Sequence, residues 1–338
     1  MDYNQVLENA KQNMGGRCMV CKECNGLACR GLLPGPGGKG SGSSFIRNFQ
    51  KLQELKINMD LVYPKSHIDT QVEIFGKTFK YPFFAAPISA VKLHYPGYYD
   101  DEGYSKAVVN GCKVSGVIGF TGDGEHKECY TMGISAVEAA GGWGIPTIKP
   151  WGVEDVITKI KMAEEAGAPA VAMDIDAAGL PVMAKDKNIG AKSVEDLRQI
   201  VQSTKLPFIL KGVMTARSAE KALEAGVYGI IVSNHGGRVL DHTPATVEVL
   251  PDIVKAVGGK MKILLDGGIR SGLDVFKVLA LGADGVLIGR PYAIAAYGGG
   301  EEGVAIYTER VGAELRQTMI MTGCQSLCEI DSSALWNF

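Results

Sequence analysis

The chain has 338 residues, 46% hydrophobic and 21% charged, with a formal net charge of −2. This is enough apolar material for one large or two modest domains, and too little net charge for a broad nucleic-acid-binding field. No apolar run is long enough to span a membrane. The opening Met1-Asp2-Tyr3-Asn4-Gln5 lacks the basic-then-apolar pattern of a secretion signal. The expectation is a soluble, cytoplasmic protein with neither nucleic acid nor membrane as partner.

The first chemical signal lies near the amino terminus. Cys18, Cys21, Cys24 and Cys29 follow one another as C-x2-C-x2-C-x4-C, whereas Cys112, Cys129, Cys324 and Cys328 are scattered. Without a secretion signal, free thiols or a metal site are expected rather than disulfides. The spacing is like the thiolate runs that hold iron–sulfur clusters, although the last interval is one residue longer than the common bacterial form. Plain thiols are the second reading, and zinc held by four thiolates the third. The Gly35–Ser44 stretch that follows reads as flexible. It is not a phosphate-binding P-loop, because neither Ser nor Thr follows Lys39 and no strand precedes it. A boundary near residue 45 divides a cysteine- and glycine-rich arm (1–45) from the main domain (46–338).

From residue 72 the pattern becomes regular. Residues 72–75 and 78–81 predict a hairpin turning at Gly76. Eight apolar runs predict strands at 83–88, 117–121, 147–151, 170–176, 208–213, 229–234, 262–267 and 285–290. Between them, Val153, Val156, Ile157, Ile160 and Ala163 have the spacing of an amphipathic helix. Leu273, Phe276, Leu279 and Ala280 repeat that spacing behind Ser271, a candidate N-cap. Eight strands alternating with helices predict an α/β fold, a (β/α)8 TIM barrel closed by the hairpin at its amino-terminal face. A doubly wound sheet is the alternative, but its G-x-G-x-x-G fingerprint is missing.

In a barrel, chemistry collects at the carboxyl ends of the strands. Asp176 ends the fourth predicted strand, Lys211 lies in the fifth, and His235 and Arg238 follow the sixth. After the seventh and eighth come Asp266-Gly267-Gly268-Ile269-Arg270 and Gly289-Arg290. Glycines that let backbone N–H groups approach, helix amino termini and two arginines suit a phosphate. A lysine within an apolar strand is costly unless paired. Asp174 competes with Asp176 as the acid beside the histidine. His126 and His242 read as surface residues.

Longer motifs then carry a resemblance. Leu210-Lys211-Gly212-Val213, Val232 to Asp241, Pro244-Ala245-Thr246, Leu250-Pro251, Asp266 to Val275, Leu281 to Asp284 and Ile288 to Pro291 together resemble the FMN-dependent 2-hydroxy-acid oxidases and dehydrogenases, the family of glycolate and lactate oxidase. The likeness runs from about residue 70 to 325 and is strongest after 205. It implies FMN as cofactor and oxidation of a lactate- or glycolate-like L-2-hydroxy acid to the 2-oxo acid. Oxygen or another carrier would be the electron acceptor, and a homo-oligomer, often a tetramer, the assembly. Lys211 would lie beside the flavin ring and stabilise developing negative charge. His235 would be the base, Asp176 the carboxylate that orients it, and Arg238 the grip on the substrate carboxylate. Asp266, Gly267, Gly268, Arg270, Gly289 and Arg290 would hold the ribityl chain and phosphate. Pro87, Ser89 and Ser233 would meet the flavin. Whether the proton leaves the hydroxyl or the α-carbon stays open.

The departures are specific. The family's amino-terminal substrate-binding Tyr is replaced by the cysteine arm, and its Gln-x-Tyr by Lys149-Pro150-Trp151. Its second arginine after Asp176 gives way to Ala177-Ala178-Gly179-Leu180. Lys149 is therefore a candidate for part of the lost carboxylate binding. Alternative readings are a non-redox flavin enzyme resembling type 2 isopentenyl diphosphate isomerase, a flavin-free phosphate-binding barrel enzyme, and a metal-held binding module confined to the arm.

Overall fold

The computed structural model describes residues 1–64, 67–180, 183–186 and 188–337. Helices α1 (Tyr3–Asn13) and α2 (Ser43–Glu54) precede the barrel. Strands β1 (Val72–Ile74) and β2 (Lys77–Phe79) form the antiparallel hairpin. Its Phe75 N–H donates to Tyr228 Oη at 3.2 Å, just before a barrel strand begins, which places the hairpin at the amino-terminal mouth as predicted.

The barrel strands are β3 (Phe83–Ala85), β4 (Phe120–Thr121), β5 (Ile145–Ile148), β6 (Val171–Asp174), β7 (Phe208–Val213), β8 (Gly229–Val232), β9 (Lys262–Asp266) and β10 (Gly285–Ile288). All pair in parallel in the order β3-β10-β9-β8-β7-β6-β5-β4, and a bridge between Ala85 and Gly119 joins the two ends. Around them run α3 (Val91–His94), α4 (Asp101–Val114), α5 (Lys127–Ala139), α6 (Val153–Glu165), α7 (Val194–Gln202), α8 (Ala216–Glu224), α9 (Thr246–Val257), α10 (Gly272–Ala280) and α11 (Arg290–Thr322). Ser271 caps α10 as expected, its side chain accepting from Asp274 N–H. In α11, Gly299 and Gly300 are non-helical and break the rod. The predicted (β/α)8 barrel is the observed fold.

Several strands are shorter than predicted. β5 stops before Pro150, and Pro146 within it has no N–H to give the ladder. β6 ends at Asp174, because Ile175–Gly179 wind into a 3₁₀ turn. Asp176 therefore sits on that turn and does not end the strand. The two aspartates consequently face different partners, which period-two alternation did not anticipate.

The arm is stitched to the barrel. Asn9 and Asn13 of α1 donate to the carbonyls of Gly298 and Tyr297 on α11 at 3.0 and 2.8 Å. Asp241 accepts from the N–H and hydroxyl of both Ser41 and Ser43 at 2.6–3.1 Å. Lys39 N–H donates to Gly237 O at 2.8 Å. The glycine stretch predicted to be flexible is thus tied down along its length.

Candidate active site

The carboxyl ends of the strands, with part of the arm, enclose a cavity of about 780 Å³, within the range of cofactor and ligand sites. Its wall includes Pro87, Ser89, Lys211, His235, Arg238 and Asp266. Gly267, Gly268, Arg270, Gly289 and Arg290 continue it toward strands β9 and β10. Ser233 and Asp176 stand behind this wall. Ser233 is fully buried and accepts from His235 N–H at 3.0 Å.

At the base lies a charge cluster. Asp174 is almost fully buried at the end of β6. It accepts from Lys149 Nζ at 2.7 Å and Lys211 Nζ at 2.9 Å. Lys211 also lies 3.6 Å from Asp266. Burial alone would raise the Asp174 carboxyl, but the two ammonium groups hold it well below the usual carboxylate range. Burial likewise works against the Lys211 charge, yet Asp174, Asp176 and Asp266 push its pKa above the ordinary lysine value. Lys211 is a fixed cation. Lys149, read from sequence as a candidate for substrate-carboxylate binding, faces Asp174, so much of its charge is met inside the protein.

His235 leaves the strand in an unusual backbone state, with φ +57°. For a non-glycine residue this costs about 1–3 kcal/mol, and the surrounding turn has to hold it. Asn234 does part of this, accepting from Gly237 N–H at 3.1 Å and exchanging amide hydrogen bonds with Asn48 at 2.7 and 3.0 Å. The imidazole Nδ1 lies 2.9 Å from Asp176 Oδ1 and 3.5 Å from Asp174 Oδ1. The nearer contact belongs to Asp176. Gly212, at φ +104°, makes it possible, since a Cβ there would fall 2.7 Å from Asp176 Cβ. The ligand atoms of Asp174, Asp176 and His235 could also bracket a metal ion, but Lys149 and Lys211 already supply the positive charge at Asp174.

The opposite wall is rich in arginine. Arg238 donates to Gly35 O at 2.6 Å and Gly37 O at 3.1 Å. Arg290 donates to Pro36 O at 2.6 Å and Gly236 O at 3.1 Å, and stacks 3.6 Å from the centre of the Phe45 ring. Arg270 donates to Cys24 O at 2.9 Å. Burial, then the nearby Arg290 charge, pulls Arg238 down to about 10.

Two residues outside the sequence-based candidates complete the wall. His94 lies 3.4 Å from Arg238 and accepts from Gly35 N–H at 3.2 Å. Burial, then Arg238 and Lys149, pull it down to about 3, so it is neutral at ordinary pH. Asp123 is buried and accepts from Lys149 N–H, Trp151 Nε1 and Lys159 Nζ. Its carbonyl takes the Ser89 hydroxyl at 2.5 Å. A lone histidine four residues past Ala90 and an aspartate in a glycine loop carry no local signal; only the fold brings them in.

The donor set suits FMN. Arg270 and Asp266 line the cavity, and Arg270 Nη2 and Asp266 Oδ1 are buried with no hydrogen-bond partner among the described residues, leaving a donor and an acceptor for a polar chain. Gly267 and Gly268, at φ +102° and +83°, keep the backbone open beside them. The amino terminus of α11 at Gly289-Arg290 favours an anion.

Comparison with known proteins agrees. The FMN-dependent dehydrogenase family matches residues 36–192 and 183–337. A 4-hydroxymandelate oxidase of Amycolatopsis orientalis is 30% identical, covering 89% of this chain and 93% of that one. A glycolate oxidase of Spinacia oleracea is 47% identical over 148 residues, 44% of this chain and 40% of its own. A crystal structure of mandelate oxidase superposes with a TM-score of 0.81 at 26% identity, covering 99% and 97% of the two chains. The chain belongs to the FMN-dependent dehydrogenase family and is an FMN-dependent hydroxy-acid oxidoreductase.

Proposed function

We propose that the chain oxidises a small L-2-hydroxy acid to the 2-oxo acid, with His235 as base and Arg238 binding the substrate carboxylate. The observation that carries this is the His235–Asp176 contact of 2.9 Å at the cavity wall. A carboxylate accepting at Nδ1 fixes the proton there and leaves the Nε2 lone pair for the substrate. Asp176 then balances the imidazolium that forms when His235 takes the proton.

FMN, when bound, accepts the two electrons. Lys211 supplies a positive charge that does not move, in a buried setting where such charges act strongly. Arg270, Gly267, Gly268, Gly289 and Arg290 hold the phosphate end, with Asp266, Pro87 and Ser89 along the cofactor. Arg238 spends one terminal nitrogen on arm carbonyls and rests the other 3.4 Å from His94, so a carboxylate would meet the Nη2 edge of the fork beside that ring. Neutral His94 beside it offers a hydrogen bond without adding charge.

The test is the flavin spectrum of anaerobic protein titrated with L-lactate, glycolate and (S)-mandelate. Bleaching by any one supports the reading and ranks the side chains. A flavin that stays oxidised with all three removes it.

A further inference from the structure

We propose that Cys18, Cys21, Cys24 and Cys29 hold an iron–sulfur cluster of the cubane [4Fe–4S] type. The family match begins at residue 36, so nothing in it accounts for these four residues. The fold nevertheless brings all four thiols to the wall of one small cavity, with Arg290 and Tyr95 on its other side.

The sulfurs are spread more widely than a single tetrahedral zinc would hold them. Tetrahedral zinc, with Zn–S near 2.3 Å, places each pair of sulfurs about 3.8 Å apart. Among the described residues, the one group of three or more ligand atoms mutually within 4.8 Å is Asp174, Asp176 and His235, so no three of these sulfurs stand that close. In a cubane each thiolate binds a different iron from outside its corner, which needs the more open arrangement.

Charge points the same way. Four thiolates around a [4Fe–4S]²⁺ core carry a net charge of about −2. The cavity is bounded by Arg290, whose protein partners are the carbonyls of Pro36, Gly37 and Gly236. Arg270 holds the carbonyl of Cys24 itself. The ion pairs of arginine among the described residues involve Arg47, Arg198 and Arg310, all elsewhere.

The loop is also shaped around these residues. A Cβ on Gly37 would fall 1.9 Å from Cys29 O, and one on Gly26 2.9 Å from the Phe45 ring. Arg290 and Tyr95 line both this cavity and the large one. A one-electron centre here would share these two residues with the cavity proposed for the oxidation.

The experiment is iron, zinc and acid-labile sulfide analysis of the full chain purified without oxygen, before and after reconstitution with ferrous iron and sulfide. Low-temperature electron paramagnetic resonance of dithionite-reduced protein accompanies it. About four irons and four sulfides per chain, with a resonance on reduction, are expected. Cys24→Ser should lose nearly all the iron while keeping FMN, and Cys328→Ser should lose none. One zinc per chain without sulfide overturns the proposal. So does reconstituted wild-type protein that takes up no iron, a result needing no variant to fold. FMN content and substrate bleaching are read separately, so failure here leaves the role of His235 untouched.

Discussion

The two walls of the large cavity are charged by opposite rules. On the β5–β8 side, Lys149, Asp174, Lys211, Asp176 and His235 form a network in which each charge meets another. On the β8–β10 side, Arg238, Arg270 and Arg290 meet carbonyl oxygens, which satisfy their hydrogen bonds and leave their charge uncancelled. The matched wall is complete in itself, as a site needs when a base and a fixed cation must be ready before substrate arrives. The unmatched wall is left positive, as the phosphate and carboxylate binding proposed for it would require.

Four measurements break or sharpen that contrast. The largest effect is expected from His235→Asn, which should lower kcat by about three orders of magnitude with FMN retained. A loss under tenfold would mean that the matched wall is not where the proton goes. Next, Asp174→Asn strands two buried ammonium groups and should cost about 3 kcal/mol in urea unfolding. Because the folded Asp174 pKa is depressed, its contribution is complete above the ordinary carboxylate range and is lost only as pH falls below it. If instead the variant were as stable as wild type, the network would be decoration.

On the other wall, Arg238→Lys should raise KM by about tenfold to a hundredfold, since one charged hydrogen bond of about 1.5–3 kcal/mol loses its fork. Lys149→Ala should change KM less, because that ammonium already faces Asp174. The reverse order would move the substrate carboxylate across the cavity. The smallest effect concerns His94. Its folded pKa of about 3 lies below the free value, so folding favours the neutral ring. Stability is full above about pH 6.5 and falls as pH drops toward 3, costing up to about 2 kcal/mol at pH 5. His94→Gln should flatten that acid slope; an unchanged slope would show that the ring is not confined beside Arg238.

Much of this was legible in the chain. Period and punctuation gave eight strands, and Asp266 to Arg270 and Gly289-Arg290, read as an anion site from glycine and arginine alone, do line the large cavity. Strand ends were less legible, because a 3₁₀ turn follows Asp174 and β5 stops short of Pro150, where the apolar runs continue. Asp176 is the carboxylate nearer His235, but on a turn, and only the absent Cβ of Gly212 shows why it fits. His94 and Asp123 were illegible. Their importance comes from contacts across the fold, with partners as much as 144 residues away.

Asp241 gathers four hydrogen bonds from Ser41 and Ser43, and so pins the arm whose carbonyls roof the arginine wall. A roof held by hydrogen bonds, with this clasp as its densest point, has its own local opening free energy, lower than that of global unfolding. Opening of the arm then requires that clasp to release, and amide hydrogen exchange at Ser41 and Ser43 would read how often it does.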